Sequence, residues 1–112
     1  MIVVYIAHPI SGDVKRNLEK VASIARYISM YQCGVIPFAP YYLGCHSLDD
    51  SVPAERERGI ENNTWMIRSG VVNEMWLYGD RVSNGMQCEI DLCKSLGITI
   101  RSMSDGTSGW NH

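Results

Sequence analysis

The sequence predicts an α/β domain: one parallel sheet with helices on both faces. Three observations carry this reading. Uncharged β-branched runs, Ile2 to Ala7 (IVVYIA) foremost, alternate with segments of three- and four-residue apolar period. The intervals between successive runs are long enough for helical crossovers rather than hairpins. The resulting order, β-α-β-α-β-α-β, is the pattern of a sheet covered by its own connections.

Each element has a local reason. Ile2 to Ala7 lacks polar alternation, as a central strand buried on both faces requires. From Asp13 to about Cys33, Val14, Leu18, Val21, Ala22, Ala25 and Ile28 form one stripe, with Lys15, Arg16, Glu19 and Lys20 off it. Ser11 or Gly12 is expected to cap this helix, and Gly34 to end it. Val35 to Ala39 (VIPFA) reads as a short strand with its proline near an end or edge. Residues 40–52 show no clear period and are expected to be a surface loop. Pro53 suits the first position of a second helix running to about Ser69, whose Glu55, Arg56, Glu57, Arg58 run reads as a solvated face. Val71 to Tyr78 is expected as a third strand. A third helix spans Gly85 to Leu96, with Asn84 as N-cap and Gln87 completing a capping box. Ile98 to Arg101 closes the sheet.

Composition bounds what such a domain can do. At 112 residues, 46% hydrophobic and 20% charged, the chain has material for one packed domain, which excludes disordered, collagen-like and coiled-coil classes. The domain is expected to span residues 1–102, with 103–112 as a polar tail. Ten Lys and Arg against twelve Asp and Glu leave a formal charge of −2, which argues against nucleic-acid polymers and anionic membranes as partners. No basic segment precedes the first apolar run and no run approaches the roughly 20 residues of a membrane span, so a cytoplasmic location is expected. Cys33, Cys45, Cys88 and Cys93 form no CxxC pair and read as reduced core thiols. No metal site and no cofactor is expected.

Ligands of parallel α/β sheets bind beyond the C-terminal ends of the strands. Two loops with unusual chemistry leave that edge: residues 7–13 (AHPISGD) and residues 79–85 (GDRVSNG), each feeding a helix N-terminus able to bind an anion. Ser11, Gly12, Ser83 and Gly85 read equally as caps and turn residues. Glu89 lies one turn inside the third helix beside its apolar stripe, where a carboxylate faces the crevice; alone it reads as well as a dipole-stabilising acid. His8 ends the first strand, suited either to the crevice or to a hydrogen-bonded core position. Asp13, Asp49, Asp50 and Asp80 are candidate second carboxylates, each with an alternative as a cap or turn residue.

Taken together, residues 5–12 (YIAHPISG) with Asn17, then Gly34-Val35-Ile36-Pro37, then residues 83–89 (SNGMQCE), resemble the nucleoside 2-deoxyribosyltransferase-like superfamily, especially its small phage and bacterial members. The match runs from about residue 3 to residue 100. The resemblance implies a flavodoxin-like or Rossmann-like sheet and chemistry at a nucleoside N-glycosidic bond, with Glu89 as the nucleophile that attacks C1′ of a 2′-deoxyribose and forms a covalent glycosyl-enzyme. That role agrees with the ability of a carboxylate to stabilise and trap positive charge at C1′. Six residues before that glutamate, the nucleoside transferases of the family carry an aspartate and the 2′-deoxynucleoside 5′-monophosphate N-hydrolases a phosphate-binding serine. Ser83 stands here, so the resemblance favours a nucleotide over a nucleoside and hydrolysis over base exchange.

On this reading Ser83, Gly85, Ser11 and Gly12 bind phosphate, and Tyr5, His8 and Asn17 contact sugar or base. The chain departs from the family pattern at His8, where glycine is common, at Asn73, where aspartate is common, and at Trp65, near which the hydrolases place an acid. Asp13 and Asp49 are the substitute general acids. A base-exchanging deoxyribosyltransferase and a non-catalytic nucleotide-binding module are the alternatives. So short a chain leaves little wall for a nucleotide pocket, and a homodimer or larger homo-oligomer with shared sites is expected.

Overall fold

In the computed structural model, which describes residues 1–103, strand β1 (Ile2–Ala7) lies inside a four-stranded parallel sheet. Its neighbours are β2 (Val35–Phe38) on one side and β3 (Glu74–Leu77) on the other, and β4 (Thr99–Ser102) follows β3, giving the order β2-β1-β3-β4. Ile2 pairs with Val35, Tyr5 with Met75, and Glu74 with Thr99. The expected α/β class with a parallel sheet and helices on both faces is the one observed.

Strand alternation sorts β1 into two faces, each with its own core. Val4 and Ile6 pack with Val21, Ile24 and Ile28 of helix α1 (Val14–Tyr31), together with Trp76 and Tyr78. Tyr5 and Ala7 point the other way, into a cluster with Met75, with Ile67 of helix α3 (Pro53–Arg68) and with Met86, Ile90 and Cys93 of helix α4 (Asn84–Ser95). The face that holds Tyr5 is therefore the face on which Glu89 of α4 is found. Burying an aliphatic side chain there contributes about 1.5–3 kcal/mol.

The structure corrects several local expectations. Residues 40–47 are not loop but helix α2 (Pro40–Ser47), which starts with proline at its first position and has no fully buried residue. Without a buried face it has no apolar period to read, although Pro40 satisfies the same first-turn rule as Pro53. The cap of α1 is Asp13, whose Oδ1 accepts from Arg16 N at 3.3 Å, rather than Ser11 or Gly12. The cap of α4 is Ser83, whose Oγ accepts from Met86 N at 3.2 Å, one residue ahead of the expected Asn84. The third strand starts at Glu74 rather than Val71, since Asn73 uses its side chain on β1: Val3 N donates to Asn73 Oδ1 at 2.7 Å and Asn73 N donates to Val3 O at 2.9 Å. Of the four cysteines, all free, only Cys93 is buried; Cys33, Cys45 and Cys88 are exposed. Met103, expected in the tail, packs on the α1 side and donates its N–H to Leu77 O at 2.8 Å; the rest of that tail lies outside the described residues. Among the described residues no helix is long and apolar enough to cross a membrane.

Candidate active site

The C-terminal ends of β1 and β3 open into a cleft of about 700 Å³. The loop after β1 supplies His8, Ile10 and Ser11, α2 supplies Tyr41 and Cys45, α3 supplies Arg56, Asn63 and Arg68, and α4 with its cap supplies Ser83, Gly85 and Glu89. Helices α3 and α4 both return over one face of a parallel sheet, so both present their N-terminal ends at this edge.

Glu89 sits on the second turn of α4, three residues after buried Met86 and one before buried Ile90, which turns its carboxylate toward β1. There the hydroxyl of Tyr5, itself fully buried, donates to Glu89 Oε2 at 2.5 Å. Burial pushes the Glu89 carboxyl above its ordinary value, and the bond from Tyr5 pulls it partly back. The surroundings share this low polarity: the Cys93 thiol is pushed up to about 11 by burial and by the Glu89 charge, and the Tyr5 and Tyr41 phenols lie well above 10 for the same two reasons. Both phenols therefore act as donors. Tyr41 spends its hydrogen on Ile6 O at 2.6 Å, fastening α2 to β1, and only Tyr5 addresses the carboxylate.

His8 is 6% exposed, and its Nδ1 lies 2.6 Å from Pro9 O. Burial lowers its pKa, so the ring is neutral with Nδ1–H donating to that carbonyl, and Nε2 is left as an acceptor. The ring is confined by Gly79, which adopts a φ of +93°. A Cβ at position 79 would stand 2.6 Å from Pro9 Cδ and 3.6 Å from His8 Nε2.

At the start of α4, less than two turns before Glu89, the Ser83 hydroxyl accepts from Met86 N, and among the described residues it donates to no protein acceptor. The first-turn N–H groups of Asn84 and Gly85 have no acceptor inside the helix. The structure brings six of the sequence-predicted residues, His8, Ser11, Asp50, Ser83, Gly85 and Glu89, to the cleft wall, with Tyr5 behind Glu89. Five others, Gly12, Asp13, Asn17, Asp49 and Asp80, are not among its lining residues. Asn17 donates through Nδ2 to Ile10 O at 2.9 Å, Gly12 forms the turn beyond Ser11, and Asp13 caps α1. Asp49 is exposed and accepts from the Ser51 hydroxyl at 2.6 Å and the Ser51 N–H at 2.9 Å; those bonds hold its carboxyl below the ordinary range. The second carboxylate on the cleft wall is Asp50.

Arg56, Asn63 and Arg68 were missed as cleft residues. Arg56 lies in a run of alternating charge that reads as solvated, yet it shares a helical face with Ile60, Asn63 and buried Ile67, and that spacing was the available signal. Among the described residues no three His, Cys, Asp or Glu side chains group as a metal site would need.

A desolvated carboxylate beneath a cleft at the C-terminal edge of a parallel sheet stands where small-ligand sites are built on such scaffolds. The chain belongs to the family described as a domain of unknown function (DUF7768), whose model matches residues 2–103. No curated protein matches it. Among solved structures it is similar in fold to "2-desoxiribosyltransferase from Leishmania mexicana", with a TM-score of 0.60 and 16% sequence identity over 93% of this chain and 65% of that one. The chain thus spans just under two thirds of that protein's length, and at this identity the likeness is one of fold.

Proposed function

We propose that the protein is an N-glycosidase that releases the base from a 2′-deoxynucleoside 5′-monophosphate. The observation that supports it most is the Tyr5–Glu89 pair: a half-buried carboxylate with one oxygen held by a phenol, at the base of a cleft that also takes in a helix N-terminus with a serine cap. With Oε2 bound by Tyr5, Oε1 is the nucleophile. Its lone pair forms a bond to C1′ as the C1′–N bond breaks, and the electron pair of that bond leaves with the base, which takes up a proton. Positive charge grows on the sugar in surroundings too apolar to screen it, so the adjacent carboxylate stabilises the transition state more than the ground state. Water then attacks C1′ of the glycosyl-enzyme, returning Glu89 as a carboxylate and giving 2-deoxyribose 5-phosphate. Phosphate would rest against Ser83, the Asn84 and Gly85 N–H groups and the Ser11 loop. The Arg56 and Arg68 guanidiniums, which take part in neither of the two ion pairs among the described residues, add positive potential. Asp50 replaces Asp13 and Asp49 as the candidate donor to the base, because it is the one that faces the cleft.

Helices α2 and α3 carry the exposed apolar side chains Leu43, Ile60 and Trp65, at 73%, 55% and 67%, and Ile60 among them lines the cleft. A second copy covering those side chains would complete the wall, and sedimentation at assay concentration tests for it. A substrate of this class belongs to the cytoplasmic nucleotide pool, which is where the protein would act.

Incubation with dAMP, dGMP, dCMP and dTMP, followed by chromatography for free base, tests the reading. Base released by the wild type and not by Glu89→Ala supports it. Binding without release from any member would replace it with a non-catalytic nucleotide-binding module. Since a protein of similar fold is a deoxyribosyltransferase, a second free base is added in a parallel arm, and formation of an exchanged nucleotide would shift the assignment from hydrolysis to transfer.

A further inference from the structure

The loops after β1 and β3 touch at two points. Gly79 closes onto Pro9, leaving no room for a side chain, and Arg81 reaches across so that its Nη2 donates to Ser11 O at 2.9 Å. Its other terminal nitrogen faces Asp80 Oδ1 at 3.7 Å. Asn17 Nδ2, whose short bond is to Ile10 O at 2.9 Å, lies 3.5 Å from the same Ser11 carbonyl and supports it more weakly. A trans peptide points its C=O and N–H in opposite directions, and the described residues contain no cis bond. Pinning Ser11 O to Arg81 and Asn17 therefore turns the Gly12 N–H away from both. That N–H has no protein partner among the described residues, and Gly12 itself adopts a φ of +99°, which glycine tolerates. The mirror arrangement, with the carbonyl turned toward the cleft, would set a partial negative charge against any anion bound at Ser11.

We infer that Arg81 is a positioning residue for phosphate: by holding the Ser11 carbonyl it orients the Ser11–Gly12 peptide so that the N–H, not the oxygen, meets the phosphate of a nucleoside 5′-monophosphate bound between the Ser11 and Ser83 loops. This rests on the nucleotide reading above and adds to it the element that selects a phosphorylated ligand over its nucleoside. The Arg81 side chain is half exposed and belongs to neither core, so Arg81→Ala removes no buried apolar contact.

The test is calorimetric binding of dAMP, dGMP, dCMP and dTMP, each against its own nucleoside, to the full chain carrying Glu89→Gln to prevent turnover. In that background Arg81→Ala is expected to weaken nucleotides about tenfold or more and nucleosides less than about twofold. Arg81→Lys, which restores one donor, recovers part of the loss. Asn17→Ala removes the other holder without removing a charge and shows the same selective weakening. Equal loss for nucleotide and nucleoside, or no loss, overturns the inference. So does an unaffected Asn17→Ala beside a weakened Arg81→Ala, which would mean that Arg81 contacts phosphate directly. If the background protein binds nucleotides no better than nucleosides, the nucleotide reading falls as well. A nucleotide preference indifferent to Arg81 removes only the inference.

Discussion

Tyr5 and Glu89 meet across the gap between the central strand and the helix that follows β3, phenol to carboxylate at 2.5 Å. Two influences oppose each other on Glu89: burial raises its pKa and the Tyr5 bond lowers it, burial being the larger. A nucleophilic carboxylate works only when ionised, so kcat/KM should fall on the acid side with a midpoint above the ordinary glutamate value of 4.5. Tyr5→Phe removes the lowering influence, and the acid limb moves further up in pH. We expect base release near neutral pH to drop about tenfold, with part of the loss recovered at higher pH. An acid limb that does not move in the pH–rate profile of Tyr5→Phe would detach Tyr5 from the ionisation of Glu89.

The same raised pKa makes Glu89 a source of instability. A carboxyl whose folded pKa lies above its unfolded one favours the fold fully below the unfolded value near 4.5, and that contribution is lost as pH rises through the folded value. Glu89→Gln keeps the size of the side chain and an oxygen for the Tyr5 hydroxyl, but carries no charge to desolvate. Denaturant unfolding should therefore find it at least as stable as wild type at pH 7, with the difference shrinking toward pH 4. Base release should fall roughly a thousandfold or more. A variant clearly less stable at neutral pH would mean that the ionised carboxylate is better solvated or better bonded than its burial implies.

Where the sequence and the fold agree, the signal was a period. Ile2 to Ala7 could be placed as an interior strand because it lacks alternation, and α1 because its stripe repeats through Leu18, Val21 and Ile28, although the structure adds Ile24 to the buried face and leaves Val14 and Ala22 of the expected stripe exposed. Glu89 was legible for the same reason, being the charge adjoining the Met86–Ile90–Cys93 stripe. Partners that depend on tertiary packing were not legible. Tyr5 could be read as a strand core residue or as a ligand contact; the structure buries it and aims its hydroxyl at Glu89, a combination that only the Tyr5–Met75 register and the seat of α4 decide. Helix α2 has no buried stripe, so its place over the cleft, through the Tyr41 bond to Ile6 O, left no trace in the spacing. The choice of Asp50 over Asp49 turns on one local bond set, in which Asp49 closes a turn on Ser51.

Gly79 provides a test of how tightly the two loops must approach. Alanine there meets Pro9 Cδ at 2.6 Å, and its φ of +93° is one that residues with a Cβ rarely adopt. Proline cannot swing aside like a flexible chain end, so the backbone must shift. We expect Gly79→Ala to cost about 2 kcal/mol or more in denaturant unfolding. We also expect it to disturb His8, whose Nε2 lies 3.6 Å from the same position. Near-wild-type stability would show that the loops can separate without loss. Gly70→Ala, where φ is +88° but no atom stands within 4 Å, serves as the control for backbone strain alone and should cost less.

Ser83 has one duty that the structure shows and one that we propose, and a single substitution separates them. As the cap of α4 it must accept from Met86 N; as a phosphate contact it must offer a hydrogen without a negative charge. Aspartate performs the first duty as well as serine does and fails the second. Ser83→Asp should therefore unfold within about 0.5 kcal/mol of wild type, since the cap survives. A carboxylate set against a phosphate dianion should weaken binding of 2′-deoxynucleoside 5′-monophosphates on the order of a hundredfold, while the matching nucleosides bind as before or more tightly, their free 5′-hydroxyl now having an acceptor. Titration of the nucleotide and nucleoside pair by calorimetry reads both numbers from one protein. Unchanged nucleotide affinity in a well-folded Ser83→Asp would remove the phosphate from the N-terminus of α4 and with it the preference for nucleotides over nucleosides.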